Sequence, residues 1–129
     1  MIHFKHSKDA RLFSALHPII IMIFSDLWVY AYEKHDIDLT VTQTISTAEE
    51  DKFLNRKSSS HRDSRAIDIR VKNLKKEIIL DIVSYINSKA IYEKYKYLSF
   101  SGNKRLAFYH GEGLNAHIHL AINSKYTIK

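Results

Sequence analysis

The chain contains no cysteine, one proline and three glycines among its 129 residues. Without cysteine there is neither a disulfide nor a thiolate ligand, so any bound metal must be held by nitrogen and oxygen donors. The scarcity of glycine and proline excludes a fibrous or linker-rich chain and favours an ordered mixture of helices and strands. An apolar share of 45% supplies enough core for a single domain over residues 1–129.

Long hydrophobic runs are also missing. The most apolar window, residues 18–32, is shorter than the roughly 20 residues that a membrane-spanning helix needs, and it contains Asp26. We therefore expect a buried helix there and no stable membrane insertion. Residues 1–16 lack the basic start, the apolar middle and the small-residue cleavage site of a signal peptide, so we expect any export to use another route.

The charge is strongly of one sign, with a formal net charge of +6 and a pI near 9.5. Such a balance favours an anionic partner, which can be a nucleic acid, an acidic polymer or an anionic cell envelope. Lysine and arginine are spread along the chain and form no dense block, so we do not expect nucleic acid as the partner. A basic nucleic-acid-binding module, in which the histidines have no functional role, is kept as an alternative hypothesis.

Hydrophobic periodicity predicts an alternation of helices and strands. Thr47 and Glu50 have the spacing of a capping box, which starts a short helix, and residues 101–104 have the composition of a hairpin turn. The late strands favour an α+β fold in which helices pack on an antiparallel sheet. The predicted helices span residues 18–35, 47–55 and 72–90, and the predicted strands span residues 37–42, 66–71, 95–100, 105–110 and 116–123.

Two separated segments carry the side chains best suited to bind a metal. His61 and Asp68 lie where a polar loop becomes a strand, and His117 and His119 lie two residues apart in a later strand, so that both project from one face. Two imidazoles and a carboxylate form the ligand set of a catalytic zinc site with one position left open. Partly exposed histidines bonded to carbonyls or carboxylates are the alternative.

The order of these motifs resembles the signature of a family of zinc peptidases. The family includes D-alanyl-D-alanine carboxypeptidases, vancomycin-resistance dipeptidases, phage L-alanyl-D-glutamate endolysins and the Hedgehog signalling domain. The resemblance covers roughly residues 13–122 and implies the Hedgehog/DD-peptidase fold, with Zn²⁺ bound by His61, Asp68 and His119. The motifs that carry it are Ser59-x-His61, Ala66-x-Asp68 and His117-x-His119.

The resemblance also implies an activity, the zinc-dependent cleavage of peptidoglycan stem peptides by an L-Ala-D-Glu endopeptidase or a D-Ala-D-Ala carboxypeptidase. Glu112 and His117 are then the catalytic candidates, although Glu112 precedes His117 by a loosely matching interval. Ser59, Arg62 and Arg65 are the candidates for substrate binding. The alternative is a non-catalytic zinc-binding domain of the same fold, such as a phage structural component that docks on the cell wall.

The sequence departs from the pattern of that family at two further positions. Ser64 stands where the family usually has a glycine, three residues after the first metal ligand. Ser46 stands where the family often has an arginine that steadies the substrate. We therefore expect another basic residue to take over that task, and the candidates are Arg56, Arg62 and Arg65.

Overall fold

The computed structural model of the chain describes residues 2–56, 58–111 and 116–126. The described part is mixed α/β, with a five-stranded sheet in the order β1-β2-β3-β7-β6 and a separate two-stranded sheet, β4-β5. The helices are α1 (Ser7–Leu12), α2 (Pro18–His35), α3 (Ala48–Phe53) and α4 (Lys76–Asn87). The strands are β1 (His3–Phe4), β2 (Thr40–Gln43), β3 (Ala66–Arg70), β4 (Tyr97–Leu98), β5 (Lys104–Arg105), β6 (Ala107–His110) and β7 (His117–Ala121).

The main sheet is mixed, whereas the sequence predicted an antiparallel one. Strands β2, β3, β7 and β6 do pair antiparallel, but β1 runs parallel to β2. The prediction was wrong at this edge because β1 has only two residues, too few for a periodic signal. The connection from β1 to β2 passes through α1 and α2, and such a long crossover permits parallel pairing.

Helix α2 begins and ends close to the predicted positions. The ring Nδ1 of His17 accepts a hydrogen bond from the backbone N–H of Ile19, and Pro18 occupies the first turn. Only one side of the helix is buried, whereas the sequence predicted burial on most sides, and Met22 is among the exposed apolar side chains. Among the described residues, no helix combines the length and apolarity that a bilayer crossing requires.

The two long helices, α2 and α4, pack against the main sheet and share one apolar core with it. Because side chains alternate along a strand, the large apolar residues of β3 and β7 face this core, while Asp68, His117 and His119 point to the opposite face. The fold thus separates a helix-covered face from a polar face of one sheet. The fully buried core side chains of these two strands are Ile67, Ile69, Ile118 and Leu120.

The predicted hairpin of residues 95–100 and 105–110 is realised only in part. Strands β4 and β5 form a short ladder, but the second predicted strand is interrupted and β6 joins the main sheet beside β7. The carboxamide Oδ1 of Asn87 accepts hydrogen bonds from the backbone N–H groups of Leu106 and Ala107. This contact from the end of α4 fixes the interruption, and local sequence patterns do not reveal it.

Candidate metal centre

Two segments distant in sequence bring His61, Asp68 and His119 together. His61 lies in the turn before β3, Asp68 lies within β3, and His119 lies opposite Asp68 on the antiparallel strand β7. One ligand atom from each residue lies within 4.8 Å of the other two. The predicted convergence is confirmed, and the cluster can hold a metal ion.

One carboxylate oxygen is the centre of the cluster. The Oδ1 atom of Asp68 lies 3.0 Å from Nε2 of His61 and 3.1 Å from Nδ1 of His119. The centroids of the two imidazole rings are 5.3 Å apart. His61 and Asp68 are buried, whereas His119 is partly exposed, so the site is anchored on one side and accessible on the other.

The second nitrogen of His61 defines the state of its ring. Its Nδ1 lies 2.7 Å from the backbone oxygen of Thr44, and because a carbonyl oxygen only accepts, Nδ1 carries the proton. In a neutral ring, Nε2 then directs a lone pair at the carboxylate of Asp68. Two acceptors at that distance require a cation between them, which is either a proton or a metal ion. A backbone carbonyl that holds the far nitrogen is typical of metal-ligating histidines.

The carbonyl that holds His61 is itself fixed by Asp9. The Oδ1 atom of Asp9 accepts hydrogen bonds from the backbone N–H and the hydroxyl of Thr44, both at 2.8 Å. Asp9 and Thr44 are buried, so helix α1 contributes to the position of a ligand from outside the cluster. No sequence pattern indicates this role, because one acid in a short helix forms no recognisable signal.

The environment sets the protonation of the cluster. Burial alone raises the pKa of Asp68, but the charge of His61 and the hydrogen bonds from His119 and His61 outweigh it and hold that pKa well below its usual value. Burial lowers the pKa of His119 below its usual value, against the opposing influence of Asp68. An ionised carboxylate and a neutral imidazole are the forms that bind a metal.

A cleft of about 920 Å³ opens beside the cluster, and all three ligand candidates line it. His117 lines it too, with Nε2 3.7 Å from Oδ1 of Asp68 and a side chain that is 26% exposed. Structural zinc sites are closed, whereas catalytic ones keep a position open for water or substrate. Access from the cleft therefore leaves one side of the cluster open.

The predicted substrate-binding residues occupy different surroundings. Ser59 donates a hydrogen bond to Asp63, and neither Ser59 nor the half-exposed Arg62 belongs to the cleft lining. Arg65 does line the cleft, but one of its guanidinium nitrogens donates to the backbone oxygen of Ile122 at 3.0 Å. Burial lowers the pKa of Arg65 from its usual value. The substrate-binding roles of these residues stay predictions.

Arg56 contacts the metal cluster directly. Its Nη2 lies 3.4 Å from Oδ2 of Asp68 and also contacts Gln43, while Nη1 donates to Asp51 at 3.2 Å. The hydroxyl of Ser46 donates to the same oxygen of Asp51 at 2.6 Å. Ser46 thus helps to fix the carboxylate that holds Arg56, so this arginine reaches the site from the far end of the short helix.

The cleft also contains residues that the sequence did not single out as functional. Tyr97 and Arg105 come from the short ladder β4-β5, and Phe108 comes from β6. The available signal was Arg105 between Phe100 and Phe108 along the chain. That stretch was interpreted as an ordinary hairpin. The predicted catalytic residue Glu112 lies outside the described residues, so its position relative to His117 stays untested.

Comparisons of the chain with protein-family models, with curated proteins and with solved structures return no match. The resemblance of the short motifs to zinc peptidases therefore stays a prediction, and support for a function comes from the geometry of the site.

Proposed function

We propose that the protein is a zinc-dependent peptidase that cleaves peptidoglycan stem peptides, and that its fold is of the Hedgehog/DD-peptidase type. The observation that carries the proposal is the convergence of His61, Asp68 and His119 beside an open cleft. Two imidazoles and one carboxylate suit Zn²⁺, and the accessible side leaves room for a water molecule and a substrate.

The three cluster residues, His117 and Arg56 each have a defined task in this proposal. Zn²⁺ held by His61, Asp68 and His119 would supply a Lewis acid that polarises the scissile carbonyl and activates water at neutral pH. His117, at the edge of the cluster, accepts a proton from the attacking water and passes it to the leaving amine, with Glu112 as the second candidate. Arg56 holds Asp68 in place from the other side of the carboxylate.

The charge of the molecule supports this class of substrate. The net charge of +6 attracts anionic polymers, and stem peptides carry several carboxylates within an anionic envelope. Three arginines line the cleft, Arg56, Arg65 and Arg105, so positive charge is also present at the site itself.

The first prediction concerns metal content and turnover together. Purified protein loaded with zinc should bind one equivalent and release fragments from peptidoglycan, whereas His61→Ala and Asp68→Ala should lose both properties. Each substitution removes one of three ligands, and the loss should exceed 100-fold in turnover, in line with the several kcal/mol that a catalytic metal supplies. Elemental analysis and mass spectrometry of the digested products measure the two effects.

The matched control is His117→Asn, which changes a neighbouring imidazole in the same cleft and leaves the three ligands in place. It should retain one equivalent of zinc but lose roughly 100-fold or more in kcat, because general acid–base catalysis contributes about that much. Turnover that survives in His61→Ala, or that persists in a strong chelator, contradicts the proposed function.

A non-catalytic zinc-binding domain of the same fold is the second candidate. The observation that favours it is Ser46, which occupies the position of the arginine in the resembled family and instead donates a hydrogen bond to Asp51. One equivalent of bound zinc without turnover of any stem peptide would support this candidate and exclude the peptidase.

A further inference from the structure

Arg105 is the cleft arginine whose charge has no carboxylate partner among the described residues. Three arginines line the cleft. The guanidinium of Arg56 lies against Asp51 and Asp68, and that of Arg65 lies 3.9 Å from Asp63. No ion pair of Arg105 occurs within residues 2–56, 58–111 and 116–126, although it is only partly exposed.

Aromatic side chains hold the guanidinium of Arg105 in a defined position. Its Nε donates a hydrogen bond to the hydroxyl of Tyr97 at 3.1 Å. Its guanidinium carbon lies 3.8 Å from the ring centroid of Phe108 and 5.8 Å from that of Tyr97. These contacts engage Nε and one face of the group, while the two terminal nitrogens, which bind carboxylates as a fork, take no part in them.

The backbone that carries Arg105 is fixed as well. The next residue, Leu106, is fully buried, and its N–H donates to the carboxamide of Asn87 at 2.8 Å. A guanidinium on such a support loses little conformational freedom when it binds an anion, so more of the interaction energy appears as affinity. An unsupported surface arginine lacks this advantage.

Arg105 also lies next to the metal cluster. The ring of Tyr97, its hydrogen-bond partner, is 6.2 Å from the ring of His119. Phe108, its stacking partner, is the residue directly opposite His119 in the pairing of β6 with β7. Both residues that hold the guanidinium therefore neighbour one of the candidate metal ligands, and Arg105 lines the same cleft as the cluster.

We propose that Arg105 is a specificity-determining residue, which binds a carboxylate of the substrate close to the scissile amide and so restricts the site to anionic peptides. This inference rests on the proposed peptidase function. It names the part of the substrate that the cleft selects, a free carboxylate near the cleaved bond.

The test compares three synthetic peptides on zinc-loaded protein. They are the stem pentapeptide with all carboxylates free, the same peptide with a C-terminal amide, and the same peptide with the α-carboxylate of D-glutamate amidated. Arg105→Gln should raise KM for the free peptide by roughly 10- to 100-fold, the range expected for a charge-assisted hydrogen bond. Of the two amidated peptides, one lacks the carboxylate that Arg105 binds. For that peptide, Arg105→Gln should change KM by less than about twofold.

Two further variants control the experiment. Arg105→Lys keeps the charge but not the fork, and it should recover only part of the affinity. Lys104→Gln removes the same charge from the adjacent, exposed residue of the same strand and should leave KM for all three peptides within about twofold of wild type. Thermal unfolding of each variant shows that the fold is retained.

Calorimetric titration of the same peptides separates failure of this inference from failure of the proposed function. If wild-type protein cleaves the peptides and Arg105→Gln weakens all three equally or none of them, the inference is overturned while the peptidase function stands. If no peptide is cleaved, the peptidase function fails, and carboxylate-dependent binding that Arg105→Gln removes still supports the inference. Binding of the three peptides with equal affinity by wild-type protein overturns it.

Discussion

Ser64 shows how one residue shapes the turn that presents His61. Its φ of 63° lies in the left-handed region, where a side chain costs roughly 1–2 kcal/mol and glycine costs nothing. The carbonyl of Ser64 accepts the backbone N–H of His17 at 2.8 Å, and its own N–H donates to the carbonyl of His61 at 3.1 Å. These hydrogen bonds tie the turn to the start of α2. Because the φ of Ser64 is positive, a glycine would suit this position.

We predict that Ser64→Gly increases the free energy of unfolding relative to Ser64→Ala by about 1 kcal/mol, because both variants remove the hydroxyl and only glycine relieves the left-handed strain. Urea denaturation of both variants, at equal zinc concentration, measures the difference. Equal midpoints for the glycine and alanine variants would show that the φ of this turn carries no strain.

At the scale of elements, polar clusters join α2 to α4 and to the segment that follows α4. Asp26 accepts hydrogen bonds from the hydroxyls of Tyr85 and Tyr92 and from the ammonium of Lys89. These three donors outweigh the effect of burial and lower the pKa of Asp26. The rings of Tyr30 and Tyr85 stack at a centroid distance of 3.7 Å, so the helix pair is fastened by polar contacts beside its apolar core.

A second helix–helix cluster, around Asp81, predicts how stability depends on pH. Hydrogen bonds from His35 and Tyr30, and then from Lys34, lower the pKa of Asp81 to about 2. Since the folded pKa is below the usual value of 3.8, the stabilisation is fully present above about pH 4 and is lost as the pH falls towards 2. Asp81→Asn should therefore cost about 1 kcal/mol at pH 7, a modest value because solvent screens the cluster.

Denaturant unfolding at several pH values checks this expectation. The difference between wild type and Asp81→Asn should shrink between pH 4 and pH 2, since the wild-type carboxylate becomes protonated there. Glu33→Gln, which removes an exposed carboxylate from α2, provides the control and should show a smaller difference at pH 7. A wild-type advantage that stays constant down to pH 2 would contradict the assignment.

At the scale of the whole molecule, the cluster couples metal binding to folding. His61, Asp68 and His119 come from a turn and from two strands that meet only in the folded sheet. The unfolded chain does not hold His119 beside the other two ligands, so an ion that binds the folded state stabilises it by mass action.

We predict that zinc at 100 times its dissociation constant raises the free energy of unfolding by about 2.7 kcal/mol, which corresponds to an increase in Tm of roughly 10 °C for a chain of this size. Calorimetry with zinc and with chelator measures the shift. Asp68→Ala should show no such shift, and an equal rise in that variant would place the metal elsewhere.

The chemical nature of the cluster was determined by the sequence alone. The lack of cysteine restricts the donors to nitrogen and oxygen, and the period of two along a strand places His117 and His119 on one face. Both features depend only on residue type and near neighbours in the chain. For the same reason, the capping box of Thr47 and the start of α2 at Pro18 were predicted correctly.

Only the tertiary structure decided which other residues serve the cluster. Arg56 reaches Asp68, Asp9 fixes the carbonyl behind His61, and Arg105 is held by Tyr97 in the cleft. These contacts join segments that are distant in the chain, and each depends on competition among many possible partners for one charge or one hydrogen bond. Local sequence patterns do not reveal the outcome of that competition, because burial and the choice of partner arise only when helices and strands pack.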